Sequence, residues 1–122
     1  MKFTEGYWEK SERANASHAM QAFVVEEIPN GMRVVAPFHK ITDRAGALDV
    51  GTITTEFTAT RKDIISVRSW HFEGYQKKEP RFELNTDVQD VTVKINDKEA
   101  VMTAGRMQVI VDREEFQITY MA

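Results

Sequence analysis

The sequence predicts an all-β domain, an antiparallel β-sandwich, and three observations carry that expectation. Apolar residues recur with a period of two in several runs, the pattern of strands that bury one face. Turn-forming or charged stretches separate those runs. No segment sustains the 3.6-residue period of an amphipathic helix, although 11–20 and 42–48 could each hold a helical turn.

The elements follow in order. "AFVVEE" and "MRVVAPF" flank "IPNGM", where Pro29 presets φ and Asn30-Gly31 tolerates the positive φ of a tight turn, so the two runs predict a hairpin. In "TITTEFTAT", Ile53, Thr55, Phe57 and Ala59 share one face, and Thr52, Thr54, Glu56 and Thr58 share the other. "VTVKIN" sets Val91, Val93 and Ile95 against Thr92, Lys94 and Asn96. "RMQVIV" sets Met107, Val109 and Val111 against Arg106, Gln108 and Ile110, and "FQITYM" sets Phe116, Ile118 and Tyr120 against Gln117, Thr119 and Met121. The connectors "TRKD" (60–63), "NDKE" (96–99) and "DREE" (112–115) read as exposed loop tips. About eight or nine strands joined by short loops result, with little helix.

The stretch "DIISVRSWHFEG" (63–74) is mixed. Ile65, Val67, Ser69 and His71 alternate with Ser66, Arg68, Trp70 and Phe72, so both faces carry bulky groups, as in a central strand covered on both sides. Trp70 could stack on a sugar ring with Arg68 or His71 as hydroxyl partners. The preferred reading is structural: Trp70 and Phe72 as packing anchors, Arg68 paired with a neighbouring carboxylate, and Gly74 as a turn or bulge residue.

Composition removes several classes of function. The chain has 122 residues, 42% of them hydrophobic, enough for the core of one domain. Its 16 basic and 19 acidic residues are interspersed, so no basic stripe argues for nucleic acid. No run approaches the roughly 20 apolar residues of a membrane-spanning helix. Cysteine is absent, which excludes disulfides and thiolate chemistry. A cytoplasmic protein is the plain expectation.

Candidate chemistry is sparse. His18, His39 and His71 lack the close spacing that makes a metal site persuasive. Glu26-Glu27 and Glu114-Glu115 lie beside turns, where solvated carboxylates are commoner than a catalytic pair. Tyr7 and Trp8 fit an anchored N-terminal segment. No nucleotide-binding, serine-nucleophile or zinc-protease motif occurs. No catalytic residue, cofactor, metal ligand or substrate-contacting residue is therefore assigned.

Taken together, "MKFTEGYW", "FVVEEIPNGMRVVAP", "LDVGTITTEF", "DIISVRSWHFEG" and "EPRFELN" resemble, in order, the N-terminal domain of glycoside hydrolase family 31, and within it the bacterial α-xylosidase branch. The most telling element is Val67-Arg68 followed by His71-Phe72 and Gly74, with Pro80 further on. The resemblance implies that residues 1–122 form a galactose-mutarotase-like β-sandwich, incomplete because that family's sandwich continues with more strands. It implies a catalytic (β/α)₈ barrel in the same parent chain, a retaining α-glycosidase acting on α-xylosides or α-glucosides through two barrel aspartates. No Asp or Glu of these 122 residues inherits those roles. The sandwich would scaffold the barrel and shape the rim of its sugar pocket, and alone it would self-associate through "RMQVIV" and "EEFQITYMA". A carbohydrate-binding or protein-interaction module is the alternative.

Overall fold

A computed structural model describes residues 17–42, 51–71 and 89–122. These contain eight strands and no helix: β1 (Val24–Ile28), β2 (Gly31–Pro37), β3 (Thr52–Arg61), β4 (Ile64–Trp70), β5 (Val91–Ile95), β6 (Glu99–Ala104), β7 (Met107–Asp112) and β8 (Gln117–Met121). They form two four-stranded antiparallel sheets, each a meander in chain order, β1-β2-β3-β4 and β5-β6-β7-β8. The sandwich expected from the alternation is what the chain forms.

The two sheets share one core. The first contributes Met32, Val34, Phe57 and Ala59, and the second Ala100, Met102, Ala104, Val109 and Val111, with Ala22 joining them. Cross-strand register makes these residues neighbours: Met32 lies opposite Phe57, and Met102 opposite Val109. Thr55 is the polar residue buried among them, and its Oγ1 lies 2.9 Å from Ser69 Oγ, so its hydroxyl is satisfied.

Turn chemistry sets the register. Pro29 and Asn30 form the two-residue β1–β2 turn, and the positive φ falls on Asn30 (62°). Proline followed by a residue of positive φ is the type II arrangement. Gly31 serves a different purpose from the one expected: it begins β2, and a Cβ there would lie 1.8 Å from the carbonyl oxygen of Phe57. Asp63 (φ 59°) and Gly105 (φ 59°) take the left-handed region in the β3–β4 and β6–β7 turns.

Two expectations need correction. β4 has one strand neighbour, β3, among the described residues and exposes most of its side chains, so it is not a central strand covered on both faces. "RMQVIV" supplies β7, which pairs with both β6 and β8 and is no edge; of the two strands expected there, β8 alone is an edge among the described residues. The possible helical turn at 11–20 lies outside the described residues except for 17–20, which are not helical, and that at 42–48 lies outside except for Thr42.

Candidate functional site

The alternation that sends Met32, Val34 and Phe57 inward sends Glu26, Arg33, Glu56 and Arg68 outward. Pairing aligns those four in one row across all four strands of the first sheet. Charges alternate along it. The Arg33 guanidinium donates from Nη1 to Glu26 Oε1 at 2.8 Å, and from Nε and Nη2 to Glu56 Oε1 at 3.2 and 3.1 Å. Hydrogen bonding to Glu26, then to Glu56, raises the Arg33 pKa above its ordinary value. The adjacent row is Val24, Val35, Thr54 and Trp70.

At the β4 end the Arg68 guanidinium lies 4.8 Å from the centre of the Trp70 ring, a cation–π distance. Trp70 is therefore half-buried on the outer face rather than a core anchor between the sheets. The packing role expected of it falls instead to Phe57, which is fully buried. Phe72, Gly74, Tyr7 and Trp8 lie outside the described residues.

Glu26, Glu27, Arg33, Val35, Thr54, Glu56, Thr58, Arg68 and Trp70 line an open depression of about 740 Å³, with Ile28 and Pro29 at its β1–β2 end. Glu26 and Glu27 sit in β1 rather than in a solvated loop. Glu26 and Glu56 are bridged by one guanidinium, so both carboxylates are engaged in ion pairs.

The histidines do not converge. His71 Nδ1 lies 2.9 Å from the Thr52 carbonyl oxygen, with its ring 5.6 Å from that of Phe38. His39 contacts the Lys40 carbonyl, and His18 is exposed. Among the described residues no group of three or more His, Asp or Glu side chains is placed to hold a metal. No helix among them is long and apolar enough to cross a membrane.

Two polar clasps that join the sheets were missed in the sequence. Arg113, inside the supposed loop tip "DREE", donates from Nε to the Ala22 carbonyl, from Nη1 to that of Asn96 and from Nη2 to that of Phe23. Arg106 donates from Nη2 to Asp63 Oδ2 at 2.9 Å, linking the β6–β7 turn to the β3–β4 turn. Asp63 Oδ1 is enclosed beside Gly105 without a hydrogen bond of good geometry, and the Arg106 N–H acts on the carboxyl as a nearby partial charge. The Arg106 guanidinium, chiefly, holds the Asp63 carboxyl below its ordinary pKa. A charge count along "DREE" or "TRKD" carries no signal for either clasp, because the partners that join the sheets, Ala22 and Phe23 for Arg113 and Asp63 for Arg106, are distant in sequence.

No protein-family model matches the chain. It is similar to the α-xylosidase XylQ of Lactiplantibacillus pentosus, 27% identical over 123 aligned positions that cover 100% of this chain and 16% of that protein. The chain thus spans about a sixth of the length of the relative it matches. That similarity supports a domain of a glycoside hydrolase.

Proposed function

We propose that the chain is a non-catalytic β-sandwich domain of a family 31 α-xylosidase or α-glucosidase, N-terminal to the catalytic barrel, which it scaffolds and whose sugar pocket it helps to shape. The observation that carries this reading is the end-to-end similarity to XylQ, in which the matched part is 16% of a much longer protein. The site geometry is in keeping with it, since the bridged Glu26–Arg33–Glu56 row offers no acid and nucleophile pair. Two apolar side chains on the core side of their sheets remain half exposed, Val67 in β4 at 46% and Tyr120 in β8 at 51%. Action on α-xylosides or α-glucosides, and a cytoplasmic location, go with the parent enzyme.

The reading frame around this chain provides the test. A (β/α)₈ barrel encoded after Ala122 is the expected result, and the purified 122-residue chain should leave aryl α-xylosides and α-glucosides intact. Turnover that survives repurification and disappears on replacing an acid within these residues would overturn the proposal.

A further inference from the structure

The depression on the outer face of the first sheet has a chemistry that the scaffolding role does not use. Its outward carboxylates (Glu26 and Glu56) accept hydrogen bonds, its guanidinium groups (Arg33 and Arg68) donate them, and Thr54 and Thr58 do both. Two negative and two positive outward side chains leave it balanced. A phosphate or a nucleic acid would find no net positive charge to offset its own, and a purely apolar ligand would desolvate the charged row without replacing its water.

A neutral ligand with vicinal hydroxyls and an apolar C–H face meets neither objection. Each hydroxyl both donates and accepts, so it can bond a carboxylate and a guanidinium together, while an aromatic ring covers the C–H face. Trp70 provides that ring beside the charged row, held in place by Arg68 at 4.8 Å. Pairing places Thr54 opposite Trp70 and Glu56 opposite Arg68, so the hydroxyl-binding groups and the ring lie on adjacent rungs of one rigid ladder. We propose that this face binds a pyranose ring of a neutral saccharide, with the exposed part of Trp70 against its C–H face and Glu56 with the Arg33 and Arg68 guanidiniums on its hydroxyls. The proposal concerns this chain alone and stands whether or not a barrel follows it.

The test is a titration of the ¹⁵N-labelled 122-residue chain with xylose, glucose and maltotriose, with glucose 1-phosphate as the charged comparison. Amide shifts confined to Thr54, Glu56, Arg68, Trp70 and their neighbours, with millimolar affinity, are expected, and glucose 1-phosphate should bind more weakly than glucose. Trp70→Ala and, as a variant that leaves the packing intact, Glu56→Gln should each weaken binding about tenfold or more, equivalent to about 1.4 kcal/mol. The idea is overturned by an absence of shifts at about 100 mM saccharide, well above a millimolar Kd. Shifts elsewhere, unchanged affinity in Glu56→Gln, or preference for the phosphate would overturn it equally.

Discussion

Ala22 and Arg113 hold each other in both directions. The Ala22 N–H donates to the Arg113 carbonyl at 2.9 Å, and Arg113 Nε donates to the Ala22 carbonyl at 3.2 Å. On either side, Met20 and Phe23 donate to the β2 carbonyls of Pro37 and Val35. The segment leading into β1 is thus stitched to the first sheet and clasped by the second. Arg113→Ala frees three carbonyls, one of them on the buried Ala22, and should cost about 2 kcal/mol, the scale of hydrogen bonds to a charged group. Arg113→Lys should recover only part of this, because an ammonium cannot reproduce the planar fork. Urea unfolding of both variants checks the order.

Two glycines should respond differently to alanine. At Gly31 the new Cβ would meet the Phe57 carbonyl at 1.8 Å, and only displacement of β2 from β3 could relieve it. Gly105 has room, with Asp63 Oδ1 at 3.4 Å as the near atom, but its φ of 59° penalises a side chain. Gly105→Ala should cost about 1–2 kcal/mol, and Gly31→Ala more than that. Thermal denaturation of both variants decides it.

The Asp63–Arg106 clasp has a definite pH sign. The carboxyl's folded pKa lies below its ordinary value, so its contribution to stability is complete above that ordinary value and is lost as pH falls through the folded one. Arg106→Ala should therefore lower Tm near neutral pH and leave a shallower decline below about pH 4, the region of an ordinary Asp. Parallel melts across acid pH would contradict the assignment.

Trp70 and Phe57 should trade the roles that residue type alone suggests. Phe57→Ala empties a fully buried site and should cost about 3–5 kcal/mol. Trp70→Ala removes a half-buried ring and one cation–π contact, so about 1–2 kcal/mol is expected. Equal losses in the two variants would place Trp70 in the core after all.

Alone in solution, the chain should form small oligomers. Among the described residues β8 is an edge strand, and its Tyr120 and Met121 are each 51% exposed. Unpaired backbone groups beside apolar side chains invite edge pairing. Light scattering across a concentration series tests this; a strict monomer at high micromolar concentration would refute it.

The faces of the strands were legible because alternation is local. Counting by twos from Phe57 separates Thr55 and Ala59 from Glu56 and Thr58 without further information. Which bulky face the protein buries is decided by the opposing sheet, and so Trp70 read as an anchor although pairing sets Val67, not Trp70, on the same side as Phe57. The Glu26–Arg33–Glu56–Arg68 row was hidden for a related reason. Its alignment needs the two-residue Pro29–Asn30 turn and the irregularity between Ala59 and Arg61, and hydrophobic pattern constrains neither. Arg113 gave no signal, since its acceptors are main-chain carbonyls that every residue carries.

Because each sheet is a meander, every strand among the described residues pairs with strands adjacent to it in sequence, whereas the clasps join residues as distant as 22 and 113. Closing those long loops carries an entropy cost that hairpin closure largely escapes. The two sheets are therefore expected to fold as separate units, with docking as the late event. In hydrogen exchange, amides at the core of β2–β3 and β6–β7 would exchange only on global opening, while those of Ala22 and Arg113 would report the earlier separation of one unit from the other.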